Sequence, residues 1–445
     1  MRKILAILLP AVAFAAGLAW FVTRQPPSSF DGIASNEIPS AELIQRGEYV
    51  ARLSDCVACH STPGGAPWAG GLEMAAPMGL IFTTNITPDK ATGIGNYSLP
   101  DFDRAVRLGV AKDGHRLYPA MPYPSYAKFT DEDVLALYAF FLHGIPAVRQ
   151  ENKAAQIPWP LNTRWPLALW NLVFSGAGPY QQERSGDIQW NRGAYLVQGP
   201  GHCGACHTPR GPAFNERALD ERSQLFLSGA LLDGWYAPSL RGDLNTGLGR
   251  WSEDDIVRFL KTGRNQHAVV FGSMADAFNN STQFMSDDDL RAITHYLKSL
   301  PGDPERDSPA WRYETSVVAS GNHLNTPGAQ TFMEKCSFCH GADGRGKGPW
   351  IPPLAGSASS NGRENASSIN VTLNGSGRVV AKGVPDAYRM PPFREQLSDR
   401  QIADVLWFVR TSWGNKGGPV PQDQVKALRD RTNPASSNVI VLQMR

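Results

Sequence analysis

Cys56-Val57-Ala58-Cys59-His60 recurs twice along the chain, as Cys203-Gly204-Ala205-Cys206-His207 and Cys336-Ser337-Phe338-Cys339-His340. These runs use all six cysteines of the 445 residues, and a histidine follows each pair directly. They lie roughly 130 to 150 residues apart, an ordinary single-domain length. Their flanks repeat with them. Before each pair, Arg46-Gly47-Glu48-Tyr49-Val50, Arg192-Gly193-Ala194-Tyr195-Leu196 and Pro327-Gly328-Ala329-Gln330-Thr331-Phe332 place apolar residues at helical spacing. The glycine in each lets a second backbone approach closely.

Well after each pair a second helix is predicted, opening at Thr130, Ser286 and Ser398. Each start has an N-cap hydroxyl and an acceptor three residues on: Asp133, Asp289 and Gln401. Gln401 meets the capping-box pattern in full, and the two aspartates approximate it. Acidic residues in the first turn suit the positive end of the helix dipole. Apolar positions then follow the helical period: Val134, Leu137, Tyr138, Phe141; Leu290, Ile293, Tyr296, Leu297; Ile402, Val405, Leu406, Val409. Between motif and final helix, Tyr97-Ser98 through Gly109 is echoed by Trp251-Ser252 through Gly263, while the shorter third copy keeps this module poorly.

Two cysteines separated by two residues can bond the two vinyl groups of one haem, and the next residue, on the same turn, can reach the iron. Cys-x-x-Cys-His therefore reads as a c-type haem attachment site. Zinc is the first competitor, but a closed tetrahedral site needs two more Cys or His ligands and gives no reason for a histidine after every pair. A redox dithiol or disulfide leaves the same histidine unexplained. The expectation is three covalently bound haem c groups, on Cys56 and Cys59, Cys203 and Cys206, and Cys336 and Cys339. His60, His207 and His340 are the expected proximal iron ligands.

The opposite iron ligand in electron-carrying c-type domains is usually methionine. Most methionines only fill cores, so position has to select among the nine. Met121 and Met390 lie eight or nine residues before the final helix cap, each followed by proline. Met274 lies twelve before its cap, and its rival Met285 directly abuts Ser286. Met74 and Met78 fall too early. Met121, Met274 and Met390 are the expected distal ligands. His115 and His267 are possible substitutes, with a surface or propionate-contacting role the more ordinary one. His143, His202, His295 and His323 match nothing across the repeats. Iron with six ligands leaves no position for a substrate, so such domains pass electrons. No catalytic residue is expected.

The first 24 residues run from Arg2 and Lys3 through an uncharged stretch, Ile4 to Val22, to Arg24 and a proline-rich exit. Ala13-Phe14-Ala15 would serve as a signal-peptidase site. The apolar run continues past it, and nineteen residues roughly cross a bilayer core, with Trp20 at the far interface. The leader is thus a cleaved signal peptide or an N-terminal membrane anchor, and either exports the chain to the periplasmic side of the inner membrane. A formal charge of +2 leaves no basic footprint for nucleic acid. Abundant glycine (43) and proline (34) predict short helices joined by many loops.

The expected fold is mostly α: three tandem c-type domains, each a small helical fold around its haem. The boundaries are 1–24 for the leader, 40–150, 188–305 and 320–420 for the three domains, and 421–445 for a tail. Residues 151–187 form a linker with Trp159, Trp165 and Trp170, either folded back on its own domains or forming an interface. It is too short and proline-broken to span a bilayer. No glycine-rich dinucleotide fingerprint follows a strand-like run.

Thr84-Asn85-Ile86-Thr87-Pro88-Asp89 through Gly93-Ile94-Gly95, then Leu117-Tyr118-Pro119-Ala120-Met121-Pro122-Tyr123-Pro124-Ser125-Tyr126, resembles the three-haem cytochrome c subunit of bacterial membrane-bound dehydrogenases. The alcohol and gluconate 2-dehydrogenase complexes are examples. The resemblance covers nearly the whole chain beyond the leader, with the third domain the loosest. It implies a separate catalytic subunit that oxidises an alcohol, sugar acid or related substrate in the periplasm. The cytochrome would deliver the electrons to membrane ubiquinone. It implies the same six cysteines, three histidines and three methionines as haem-binding residues. The partner would be a quinoprotein, a flavoprotein or, since similar cytochromes accompany them, a molybdenum hydroxylase. A stand-alone multihaem carrier is the competing expectation.

Overall fold

The computed structural model describes residues 13, 16–17, 19–33, 38–76, 78–176, 178–183, 186–232, 234–305, 307–315 and 325–433. The expected leader span lies largely outside these. Among the described residues no helix is long and apolar enough to cross a membrane. Two units emerge: one of Met1–Ala51, His60–Leu72 and Ala76–Gln181, the other of Arg52–Cys59, Glu73–Ala75 and Gln182–Arg445.

Each repeat is built on one helix crossing. In the first unit α1 (Ala41–Leu53) meets a helix after the motif region. That region begins with α2 (Leu99–Leu108), followed by α3 (Asp131–Ala139), which runs on into a π-turn at Phe140–Gly144. Between the repeats stands α4 (Pro166–Phe174). The second unit holds α5 (Ile188–Gln198), α6 (Glu253–Thr262), α7 (Ser273–Asn280) and α8 (Asp287–Ser299). It then adds α9 (Pro327–Lys335), α10 (Ala366–Asn374), α11 (Asp399–Thr411) and α12 (Gln422–Arg431). Strands are few; Ala230–Leu232 pairs antiparallel with Trp235–Ala237, and Val380–Ala381 with Val384–Pro385.

The glycines within α1, α5 and α9 sit where the helices touch. A Cβ on Gly47 would lie 1.9 Å from Ala136 O, on Gly193 2.0 Å from Ala292 O, and on Gly328 2.1 Å from Asp404 O. No side chain fits there, so the backbones of α1 and α3, α5 and α8, and α9 and α11 pack in direct contact. The apolar faces named from periodicity line the crossings: all twelve positions are buried except Tyr138, which is half-buried. Each such side chain contributes about 1.5–3 kcal/mol relative to exposure.

The predicted caps form, with one difference. Ser398 and Gln401 make the reciprocal capping box. Thr130 and Ser286 accept from Asp133 N and Asp289 N. Their third-position carboxylates, however, turn to the residue before the crossing glycine. Arg46 Nη2 binds Asp133 at 2.7 Å, and Arg192 Nε and Nη2 bind Asp289 at 2.7 and 2.8 Å. The approximate boxes are therefore ties between paired helices. Complete boxes appear one module earlier, Ser98 with Asp101 on α2 and Ser252 with Asp255 on α6. Both helices end on a left-handed glycine, Gly109 (φ 62°) and Gly263 (φ 73°). The third repeat has a helix in the corresponding stretch. α10 ends at Gly375 (φ 75°) but lacks a side-chain cap at Asn365, which hides it from sequence reading. Residues 422–431 form α12, whose Val425 and Leu428 enter the third repeat's core.

Candidate functional site

Each Cys-x-x-Cys-His run is a single helical turn: Cys56–Cys59, Gly204–His207 and Ser337–His340. His207 N and His340 N donate to Cys203 O and Cys336 O at 3.0 Å, so the histidine closes the turn that its first cysteine opens. Residues three apart on a helix share a face, which aims both sulfurs of a pair the same way.

All three histidines are held identically, by a backbone carbonyl. His60 Nδ1 lies 2.7 Å from Thr84 O, His207 Nδ1 2.7 Å from Pro238 O, and His340 Nδ1 3.1 Å from Pro352 O. A carbonyl can only accept, so Nδ1 carries the proton and Nε2 keeps its lone pair. Burial pushes each imidazole below its ordinary pKa, and the carbonyl bond only partly opposes this. A neutral imidazole with a fixed tautomer and a bare Nε2 is what iron ligation requires. A second backbone bond fixes the other end of each histidine: Gly70 N donates to His60 O, Gly229 N to His207 O and Gly346 N to His340 O, all at 2.8 Å. These glycines have φ of 72°, 92° and 68°.

Neither the carbonyl acceptors nor these glycines can be picked out from the sequence by a fixed offset. The loops between them and the histidines differ in length among the repeats. One weaker signal exists: Thr84, Pro238 and Pro352 are each followed two positions later by a branched aliphatic residue, Ile86, Leu240 and Leu354.

The competing chemistries fit poorly. Burial pushes the Cys59 and Cys203 thiols up to about 12, that of Cys336 to about 11, and that of Cys56 further still. Dithiol exchange needs a thiolate near neutrality. Among the described residues no three His, Cys, Asp or Glu side chains cluster as a metal site, and no cysteine pair is a disulfide. The pairs fit haem better than either alternative.

The methionines occupy different settings. Met121 is half-buried in the loop before Tyr123; its nitrogen donates to Tyr118 O, and its carbonyl accepts from Tyr123 N at 2.8 Å. Met274 stands in the first turn of α7, half-buried against Val270, Ala275, Phe278 and Val379. Met390 is half-buried and clamped by Ser376, whose hydroxyl accepts from Met390 N at 2.9 Å and whose N–H donates to Met390 O at 3.0 Å. Met285, the rival of Met274, is core, with 3% of its surface exposed. Met74 lies in the strand Glu73–Ala76, and Met78 follows it. His115 is exposed and paired with Asp113 at 2.5 Å. His267 stacks on Trp251 with ring centroids 5.1 Å apart and lies 3.3 Å from Asp255.

Helices around repeated haem-attachment turns define a c-type cytochrome, and the cytochrome c family model matches residues 191–301 and 326–413. The cytochrome c subunit of the quinone-type alcohol dehydrogenase of Komagataeibacter europaeus is 50% identical over 416 residues, covering 92% of this chain and 89% of that protein. The gluconate 2-dehydrogenase cytochrome c subunit of Pantoea cypripedii is 46% identical over 442 residues, covering 97% and 96%. A nicotinate dehydrogenase subunit of Pseudomonas putida is 37% identical over 440 residues, covering 96% of this chain and 35% of that protein. The chain belongs to the family of cytochrome c subunits of bacterial membrane-bound dehydrogenases. It carries covalently bound haem c, and its work is electron transfer within a dehydrogenase complex.

Proposed function

We propose that the chain carries electrons from a periplasmic catalytic subunit, acting on an alcohol, gluconate or a related substrate, to membrane ubiquinone through three haem c groups. Cys56 and Cys59, Cys203 and Cys206, and Cys336 and Cys339 hold one haem each. His60, His207 and His340 are the proximal iron ligands, and Met121, Met274 and Met390 the distal ones. The fold is three tandem c-type domains behind an N-terminal signal or anchor segment, at the periplasmic face of the inner membrane.

The observation that carries this reading is the carbonyl-held histidine, made three times with the same atoms. When bound, haem supplies a one-electron couple whose potential depends on ligand, burial and hydrogen bonding. The chain's own part is to fix each imidazole, to cover the iron's second face with a thioether, and to keep substrate away from the metal. The substrate-oxidising chemistry then belongs to a separate subunit. The likeness to the nicotinate dehydrogenase chain supports a nicotinate-oxidising dehydrogenase as the second choice of partner.

The test uses membranes from cells with and without the gene, supplied in turn with ethanol, gluconate, an aldehyde and nicotinate. The reduced c-haem absorption band is followed before and after adding a short-chain ubiquinone. Rapid reduction by one substrate, lost without the gene and reversed by the quinone, is expected. Reduction by dithionite alone would point to a general carrier or to a dehydrogenase outside this panel, and would contradict the substrate class proposed.

A further inference from the structure

The segment between the first and second repeats carries an apolar surface that the proposed electron path does not use. α4 contains no charged residue. Its inner side is fastened to the first unit. Ala168 is buried, Trp170 meets Tyr123 edge-on at 6.2 Å, Asn171 Oδ1 accepts from the Tyr123 hydroxyl at 2.8 Å, and Asn171 Nδ2 donates to Leu108 O at 3.1 Å. Its outer side is Trp165, Leu169, Leu172 and Val173, spaced i, i+4, i+7 and i+8 along one stripe. All four are exposed, Leu172 to 68% and Val173 to 67%. Just before the helix, Trp159 (80%) and Leu161 (56%) are exposed as well. A surface helix in water shows polar residues on that side. A continuous apolar patch marks contact with something else.

The leader indicates what that something is. Arg164, the neighbour of Trp165, donates through Nη1 to Arg116 O at 2.8 Å, and Arg116 Nη2 donates to Arg24 O at 3.2 Å. Arg24 N closes the last leader turn on Trp20 O at 2.9 Å, and its guanidinium lies 4.7 Å from the exposed Trp20 ring. The stretch that follows is tied down without slack. Gln25 Nε2 donates to Lys112 O at 3.2 Å, and Arg104 Nε to Pro26 O at 2.8 Å. The apolar run from Ile4 to Val22 therefore ends on the same part of the unit as the α4 patch. The leader's exit and the α4 patch are thus linked through Arg24, Arg116 and Arg164.

Nine residues rise only about 13 Å, far short of the ~30 Å hydrocarbon core, so α4 cannot cross. We propose that Trp159, Leu161 and the outer stripe of α4 lie in the membrane interface, as a second, in-plane lipid contact beside the leader. The proposal rests on reading that leader as an anchor. Tryptophan suits the headgroup level, and the exposed Arg24 stands at the leader's exit where anionic headgroups would meet it.

The test reconstitutes the full haem-loaded chain in vesicles of phosphatidylethanolamine and phosphatidylglycerol containing a phospholipid with an acyl-chain diazirine. Peptides are mapped by mass spectrometry after illumination. Label is expected both in the leader and between Trp159 and Phe174. Replacing the exposed pair, Leu172→Glu with Val173→Glu, should reduce the second label at least tenfold and leave the leader label and the haem spectrum unchanged. Label in the leader with none in α4 overturns the proposal while leaving the anchor intact. Label in neither removes the anchor reading and the proposal with it. Label in α4 that vanishes when the catalytic subunit is bound assigns the face to protein and overturns the lipid contact.

Discussion

Cysteine and histidine are the residues whose chemistry can be read without a fold, because attachment and proximal ligation need a fixed local spacing. What holds the histidine cannot be read that way. The acceptors are the backbone carbonyls of Thr84, Pro238 and Pro352, and a carbonyl leaves no side-chain signature. The methionines fall between: their register before the final helix is legible, yet nothing local separates a ligand from core, as the buried Met285 shows. Met121→Ala should leave the first haem attached, lower its midpoint potential, since methionine ligation raises it, and change its spectrum. An unchanged redox titration would remove Met121 from the ligand set. The crossing glycines give a second expectation. In Gly193→Ala the new methyl would lie 2.0 Å from Ala292 O, so α5 must move off α8. Overpacking of this kind costs about 1–3 kcal/mol, visible as a lower denaturation midpoint with all haem still bound.

Helix ends are legible wherever a side chain makes the cap, and illegible where the backbone does. α2, α6 and α11 announce themselves by reciprocal boxes, whereas α10 starts without a side-chain cap and gives no such sign. Local pattern makes Asp133 and Asp289 cap partners because it cannot see Arg46 or Arg192 arriving from a distant helix. α12, in a stretch that reads as a tail, is hidden for a similar reason. Its few apolar residues look weak alone and matter only because Val425 and Leu428 reach the third repeat's core. Within the second unit, Arg264 beside α6 pairs with Asp386, both side chains nearly fully buried, and its guanidinium lies 4.3 Å from the Trp350 ring. Removing one partner of a buried pair strands the other and costs about 3–5 kcal/mol. Arg264→Leu should therefore lower the unfolding midpoint of this unit markedly. The double variant Arg264→Leu with Asp386→Leu should recover most of the loss. Equal destabilisation in both would mean that packing on Trp350, not charge, is what the arginine contributes.

Repetition makes the whole chain intelligible. One plan appears three times: a glycine-bearing helix, a haem-attachment turn, a loop that returns a carbonyl to the histidine, and a capped helix that crosses the first. The family relationship adds a dehydrogenase complex to that plan. The Trp-rich linker lies outside the repeat, which is why it is legible in the sequence only as something unusual. Exposure of α4 on one side and its bonds to Tyr123 and Leu108 on the other resolve that ambiguity into two faces. The central claim is that all three sites carry covalent haem, and counting haem on the intact chain tests it most directly. Denaturing mass spectrometry of the chain matured in a cytochrome c-competent host should give the polypeptide plus three haem masses. Cys203→Ser with Cys206→Ser should remove one of them. A wild-type mass with two haems and a pair of alkylatable thiols would contradict the account.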